Sequence, residues 1–142
     1  MTMMSDTIHP HSPHVLVVDD DADTREIVEM VLRQSGFRVS SASTVANALE
    51  RAKALKPDII TTDLGQRGGT LDGCELTTRL KASPDTQTIP VIAVTGWTRG
   101  FDRDRALMAG CDAVLSKPCS PEVLLAEIRR LLNARKSDFP PV

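Results

Sequence analysis

The sequence predicts an α/β protein of the doubly wound (βα)5 class, with a five-stranded parallel sheet and helices on both faces. The first observation is the continuous apolar run at 15–18, which is typical of a strand buried on both sides. Short runs of apolar and β-branched residues recur at 59–62, 91–94 and 113–115, and stretches with apolar residues at helical spacing lie between them. These alternating units in a chain of 142 residues fit a single domain of this class.

The first half of the chain is predicted to supply two helices and the second strand. Apolar residues share one face of a helix over 22–35. Gly36 follows and is expected to end this helix by taking a left-handed backbone conformation. Residues 37–42 alternate between apolar and polar side chains, as in a strand at or near a sheet edge. Ser43 is expected to cap a second helix over 44–55.

Three further helices are predicted in the second half. The third begins near Gly73 and ends near Ala82, and the fourth covers about 99–109 before Gly110. Ser120 is expected to start the fifth helix, because a proline and an acidic residue follow it in the first turn.

The folded domain is predicted to cover residues 14–134. Residues 1–13 are expected to be a disordered N-terminal tail, in which Pro10 and Pro13 favour an extended chain. Residues 135–142 are expected to be a C-terminal tail with no features that would order it.

Composition and charge argue against several classes of function. A net charge of −2 and a pI of about 5.9 do not indicate binding to nucleic acid or to a membrane surface. No apolar run approaches the roughly 20 residues of a transmembrane helix. The three cysteines show no ligand spacing, which indicates reduced thiols and a cytoplasmic protein.

The histidines narrow the chemistry further. All three, His9, His11 and His14, are assigned to the N-terminal tail. A serine or cysteine nucleophile would therefore need a base from a flexible segment, which argues against that kind of catalysis.

Carboxylates gather where the predicted strands end. In such folds ligands bind at the carboxyl ends of the strands, where the sequence has Asp19 and Asp20, Asp63, Thr95 and Lys117. Three carboxylates in one crevice repel each other, and a divalent cation relieves that repulsion. A site made of oxygen donors, in which the protein supplies few of the ligands and water the rest, favours Mg²⁺. A carboxylate could then attack a phosphoryl group to form an aspartyl phosphate, with Lys117 and Thr95 contacting the phosphoryl oxygens.

Five motifs in order carry a family resemblance. They are VLVVDDD at 15–21, PDIITTDL at 57–64, LDG at 71–73, PVIAVTG at 90–96 and DAVLSKP at 112–118. Over residues 14–134 the chain resembles the response regulator receiver domain, the CheY-like family with a flavodoxin-like fold. The resemblance implies the strand order 2-1-3-4-5 and a cis bond between Lys117 and Pro118.

The resemblance also implies the roles of the site residues. Asp63 would be the phosphoacceptor, Asp19 and Asp20 the acidic pair, and the backbone carbonyl of Gly65 a further Mg²⁺ ligand. Metal ligation by Asp63, and phosphoryl contacts from Thr95 and Lys117, would complete the site.

The implied function is that of a stand-alone response regulator in a two-component or phosphorelay system. A sensor histidine kinase or a histidine phosphotransfer protein would donate the phosphoryl group. Only eight residues follow 134, so no DNA-binding domain is expected and output would pass to an effector protein.

The effector protein would bind the face formed by the fourth helix, the fifth strand and the fifth helix. Candidate contact residues on this face are Arg99, Phe101, Arg103 and Arg129. The protein would be a monomer or a phosphorylation-dependent dimer, and would act as a catalyst only on its own aspartate.

Three features depart from the family pattern. The segment 65–70 is longer and richer in glycine than usual, which puts metal affinity and phosphate lifetime in question. Val114 stands where the family often has an aromatic switch residue. Trp97, two residues after Thr95, could shield the acyl phosphate from water or could be an ordinary surface residue.

Two rival functions were compared with this one. A haloacid-dehalogenase-like phosphatase requires the motif D-x-D-x-T/V, whose fifth residue is threonine or valine. The fifth residue counted from Asp19 is Asp23, which does not fit this motif. A pseudo-receiver that docks a partner without phosphorylation is favoured by the unusual loop and by Val114. The presence of Asp63, Thr95 and Lys117 argues against it.

Overall fold

The computed structural model describes residues 12–65, 71–96 and 100–137, without the side chains of 100–102 and 136–137. The strands are β1 (His14–Val18), β2 (Arg38–Ala42), β3 (Ile59–Asp63), β4 (Val91–Thr95) and β5 (Ala113–Ser116). They pair in parallel in the order β2-β1-β3-β4-β5. The predicted doubly wound class and the order 2-1-3-4-5 are confirmed.

Helices cover both faces of this sheet. Between β1 and β3 along the chain lie α1 (Ala22–Gln34) and α2 (Val45–Leu55); the later helices are α3 (Gly73–Ala82), α4 (Gly100–Ala109) and α5 (Pro121–Ser137). Among these described helices, none is long and apolar enough to cross a membrane. Every residue of β1 and β3 is buried, because both strands are central and covered on each face.

Short polar side chains and glycines set the helix ends. Asp21 caps α1 and Asp72 caps α3, each accepting a backbone N–H three residues further on. The cap of α2 is Thr44, so the prediction of Ser43 was wrong by one residue. Gly36 has a φ of 94° after α1, which confirms the predicted left-handed stop.

Two apolar layers hold the sheet between its helices, and alternate strand residues face opposite layers. The layer beneath α1 and α5 includes Val15, Val17, Ile59, Ile92, Leu124 and Ile128. The layer beneath α2, α3 and α4 includes Leu16, Val18, Ile60, Val91, Leu76 and Leu80. The odd-numbered residues of β1 and β3 thus point toward α1 and α5.

The last helix extends past the predicted domain end. α5 continues to Ser137, so the boundary at 134 falls inside it. Arg135 donates a hydrogen bond from Nη1 to the carbonyl of Asp58 at 3.0 Å, which ties the final turn to the start of β3. The predicted tail at 1–13 lies outside the described residues except for Ser12 and Pro13.

His14 belongs to the sheet, so its assignment to the N-terminal tail was wrong. It begins β1 and is 9% exposed, because its backbone pairs with Arg38 of β2 on one side. On the other side its N–H donates to Oδ2 of Asp58 at 2.8 Å. Its Nε2 lies 2.7 Å from Oγ of Ser40. Burial lowers the pKa of His14, and the charge of Arg38 lowers it further, while Asp58 opposes them.

This environment predicts a loss of stability in mild acid. The unfolded chain holds a proton on His14 below about pH 6.5, whereas the folded chain resists that proton. Stability is therefore fully present above the unfolded pKa and falls as the pH drops toward the lower folded pKa. We expect His14→Gln, which cannot titrate, to flatten this part of the stability curve. Urea unfolding at several pH values from 5 to 8 measures the slope; equal slopes in both proteins would contradict the prediction.

Candidate functional site

Three carboxylates meet at the carboxyl ends of the two central strands. Asp19 follows β1 and Asp63 ends β3, and each is 7% exposed. Asp20 is half-buried beside them. One side-chain oxygen from each of the three lies within 4.8 Å of the others. Adjacent parallel strands bring these residues together, as the sequence pattern predicts.

The turn between β1 and α1 fixes the acidic pair. Oδ1 of Asp19 accepts the backbone N–H of Asp21 at 2.9 Å, and the N–H of Asp19 donates to the carbonyl of Ala42 at 3.1 Å. Arg25 reaches back from α1 and donates from Nη1 to the carbonyl of Asp19 at 2.8 Å. Arg25 was not identified from the sequence, because a contact with a backbone carbonyl leaves no motif.

The connection after β3 holds Asp63 from the other side. The N–H of Gly65 donates to Oδ2 of Asp63 at 3.1 Å, and Gly65 has a φ of 96°, which favours glycine. A Cβ on Gly73 would lie 2.4 Å from the carbonyl oxygen of Asp63, so α3 begins in direct contact with the strand. Residues 66–70, the rest of the unusual loop, lie outside the described part of the chain.

Lys117 and Thr95 complete the cluster from β4 and β5. Nζ of Lys117 lies 3.2 Å from Oδ1 of Asp63. The N–H of Lys117 donates to the carbonyl of Thr95 at 2.7 Å, and Thr95 is 1% exposed. The Lys117–Pro118 bond is cis, as the resemblance implied. Each carboxylate oxygen of Asp63 thus has a donor of its own.

The local charges favour a bound cation. Burial raises the pKa of Asp19, and the nearby charges of Asp63 and Asp20 raise it further. The N–H of Asp21 and the charge of Lys117 act in the opposite direction. A divalent ion would remove the repulsion among the three carboxylates and would stabilise their charged forms.

The donor set fits Mg²⁺. Oxygen ligands from Asp19, Asp20 and Asp63 suit a hard cation, and three protein ligands leave room for water or a phosphoryl oxygen. Gly65 lies next to this cluster through its bond to Asp63. Five of the residues selected from the sequence are joined in this cluster, and Thr95 adjoins it through its backbone bond with Lys117.

Other residues selected from the sequence have different positions. Asp21, the last residue of the first motif, caps α1 and is exposed, so it serves the helix rather than the cluster. Val114 is half-buried and packs against the layer beneath α3 and α4. Trp97 and Arg99, and the side chain of Phe101, lie outside the described residues.

The chain matches a known protein family over most of its length. A family model described as the response regulator receiver domain matches residues 15–129. The chain belongs to this family. It is the receiver domain of a two-component response regulator.

Relatives of this receiver span different lengths. An uncharacterised 14.6 kDa protein from Leptolyngbya boryana is 35% identical over 127 residues, which cover 89% of this chain and 92% of that protein. The transcriptional regulatory protein PrrA from Mycobacterium leprae is 40% identical over 124 residues, covering 87% of this chain and 52% of that protein. The receiver therefore spans about half the length of PrrA.

Solved structures show the same architecture. The chemotaxis response regulator CheY4 of Vibrio cholerae superposes with a TM-score of 0.76 and 26% identity, covering 84% of this chain and 98% of that one. The signal receiver domain of a signal transduction histidine kinase from Syntrophus aciditrophicus gives a TM-score of 0.80 and 29% identity, covering 92% and 98%.

Proposed function

We propose that this receiver accepts a phosphoryl group on Asp63 in a Mg²⁺-dependent reaction. The donor would be the phosphohistidine of a sensor histidine kinase or of a histidine phosphotransfer protein. The observation that carries the proposal is the ion pair of 3.2 Å between Asp63 and Lys117 inside a cluster of three carboxylates. A nucleophilic carboxylate, a cation and a metal-binding set are thereby within reach of one phosphoryl group.

The residues divide the work of the transfer. An oxygen of Asp63 forms a bond to phosphorus while the bond from phosphorus to the leaving atom of the donor breaks, and the electron pair leaves with that atom. Bound Mg²⁺ would neutralise charge on the phosphoryl oxygens, held by Asp19, Asp20, Asp63 and the carbonyl of Gly65. No general base is required, because a carboxylate nucleophile, unlike a hydroxyl, has no proton to give up as it attacks.

Lys117 and Thr95 would stabilise the product. Lys117 leaves its pair with Asp63 and contacts a phosphoryl oxygen as a point charge. The hydroxyl of Thr95, at the end of the adjacent strand, contacts a second oxygen. The backbone bond between the N–H of Lys117 and the carbonyl of Thr95 joins the ends of β4 and β5 and supports this shared role.

Output would pass through protein contacts. On the face formed by α4, β5 and α5, Arg103 and Arg129 are exposed and Met108 is 88% exposed, which gives an effector both charged and apolar contacts. In this proposal the receiver is a stand-alone cytoplasmic regulator, a monomer or a phosphorylation-dependent dimer, and a catalyst only for its own Asp63.

Labelling by acetyl phosphate tests the transfer. We expect the protein incubated with acetyl phosphate and Mg²⁺ to gain one phosphoryl group by intact-mass measurement. Asp63→Ala and a Mg²⁺-free sample should gain none, whereas Asp58→Ala, at the opposite end of β3, should still be labelled. No labelling under any condition would contradict the proposal and would favour a pseudo-receiver that docks its partner without phosphorylation.

The geometry does not favour a haloacid-dehalogenase-like phosphatase. Such a site needs a second acid two residues after the first. Here that residue is Asp21, whose Oδ2 accepts the N–H of Thr24 at 2.9 Å as the cap of α1. Its carboxylate is committed to the helix rather than to the cluster.

A further inference from the structure

A cavity of about 280 Å³ extends from the acidic cluster into the interior of the protein. Asp19, Asp63 and Lys117 line its polar entrance. Its inner wall lies between the sheet and the helices α1 and α5, and is formed by Val17, Val28, Thr61, Val94 and Leu124, with Cys119 beside them. The inner part, called the chamber below, is therefore the apolar end of a cavity that it shares with the acidic cluster.

One polar group on the chamber wall is unused. Thr61 sits in the middle of β3, is 4% exposed and points toward α1 and α5, as its odd-numbered neighbour Ile59 does. Within the described part of the chain its hydroxyl has no hydrogen-bond partner. No fully enclosed side-chain polar atom among the described residues lacks a partner, so the Thr61 oxygen must open into the cavity. A buried hydroxyl of this kind is stabilised by a bound hydrogen-bonding group.

We propose that this chamber binds a small uncharged ring compound that carries one hydrogen-bonding group directed at Thr61. The valines and Leu124 surround the ring, and the hydroxyl of Thr61, which can donate or accept, meets the polar group. The apolar end selects against charge, because the ionised side chains of this cavity, Asp19, Asp63 and Lys117, lie at its entrance and burial of an unpaired charge is strongly unfavourable. Burial also raises the pKa of Cys119, which keeps that thiol neutral.

The volume sets the size of the ligand. An apolar cavity of about 150 Å³ holds one benzene ring. The whole cavity has about 280 Å³ and most of its lining is apolar, so it accommodates a fused bicyclic compound of the size of indole with its rings in the chamber. Polar compounds that need several partners fit poorly, since Thr61 offers the one open hydroxyl on the described wall.

Indole and indene form a matched pair of probes. The two molecules have nearly the same shape, but only indole has an N–H group that can donate to Thr61. Methyl NMR of the full chain, without Mg²⁺ or phosphoryl donor, follows the valine and leucine signals during titration. We expect saturable binding of indole below about 5 mM, with shifts in Val17, Val94 and Leu124. Indene should bind about three- to tenfold more weakly, because the hydrogen bond is lost.

Two variants separate the hydrogen bond from the cavity. Thr61→Val keeps the side-chain shape and should make the affinities for indole and indene equal. Val28→Phe fills the chamber from α1 and should abolish binding of both probes. Since Thr61→Val changes one small group, its thermal unfolding serves as the check that the fold is intact.

Three results would overturn the proposal. These are the absence of saturable binding by either probe, binding that persists in a folded Val28→Phe protein, and an indole preference that survives Thr61→Val. None of them bears on phosphorylation of Asp63, because neither Mg²⁺ nor a phosphoryl donor is present in the titration.

Discussion

Replacing Lys117 with methionine is expected to slow phosphoryl transfer to Asp63 by about 100- to 1,000-fold while tightening Mg²⁺ binding. The transfer slows because the variant lacks the cation that stabilises charge on the phosphoryl oxygens. Mg²⁺ binds more tightly, by about tenfold, because Nζ of Lys117 lies 3.2 Å from Oδ1 of Asp63 and repels a second cation there. The opposite directions of these two effects distinguish a reactive lysine from one that merely supports the fold.

Labelling rates with acetyl phosphate and calorimetric titration with Mg²⁺ measure the two effects. Lys53→Met, at an exposed position on α2, is the matched control and should change neither quantity. Lys117→Arg should retain part of the rate, because the positive charge remains. The rate should not be fully restored, because the guanidinium group of arginine is larger than the ammonium group of lysine. A Lys117→Met protein with normal labelling, or with weaker Mg²⁺ binding, would contradict this account of Lys117.

Replacing Gly73 with alanine is expected to lower the free energy of unfolding by about 2–3 kcal/mol. Alanine normally favours a helix over glycine, so a simple helix effect would have the opposite sign. The new Cβ would lie 2.4 Å from the carbonyl oxygen of Asp63 and 3.0 Å from Cα of Leu64, and backbone atoms cannot move aside cheaply. Relief of this clash requires a shift of Asp63, so labelling should also slow.

Gly96→Ala is the matched control for this substitution. Among the described residues its Cβ would meet only Cδ of Lys117 at 4.0 Å, which is an ordinary contact. Urea unfolding should show a change within about 0.5 kcal/mol for Gly96→Ala. Equal stabilities of the Gly73→Ala and Gly96→Ala proteins would show that α3 can retreat from β3 without loss.

The fold and the position of the site follow from local patterns in the sequence. Four apolar residues before Asp19, and Ile-Ile-Thr-Thr before Asp63, predict both buried strands and the edge where the two carboxylates meet. Lys117, which precedes Pro118, and Thr95, which follows the apolar run 91–94, are the other two site residues that such patterns identify. These features can be predicted because each depends on residues that are adjacent in the sequence.

Features that depend on contacts between distant segments were not predictable in this way. His14 lies among prolines and polar residues, yet Asp58 and Ser40 hold it in the sheet. The cap of α2 moved from Ser43 to Thr44, because either hydroxyl suits that role and only the path of the chain selects one. The close approach of Gly73 to β3 depends on packing that no periodicity encodes.

The bond between Arg135 and Asp58 gives spectroscopy a fixed reference point on this receiver. Asp58 directly precedes β3, whereas Asp63 ends it, so the two edges of the sheet are about 16 Å apart along this strand. A spin label or fluorophore near the end of α5 would report from the edge opposite Asp63 without touching it. Paramagnetic broadening by Mn²⁺ in the acidic cluster would then measure a distance whose far end is tied to β3 by this hydrogen bond.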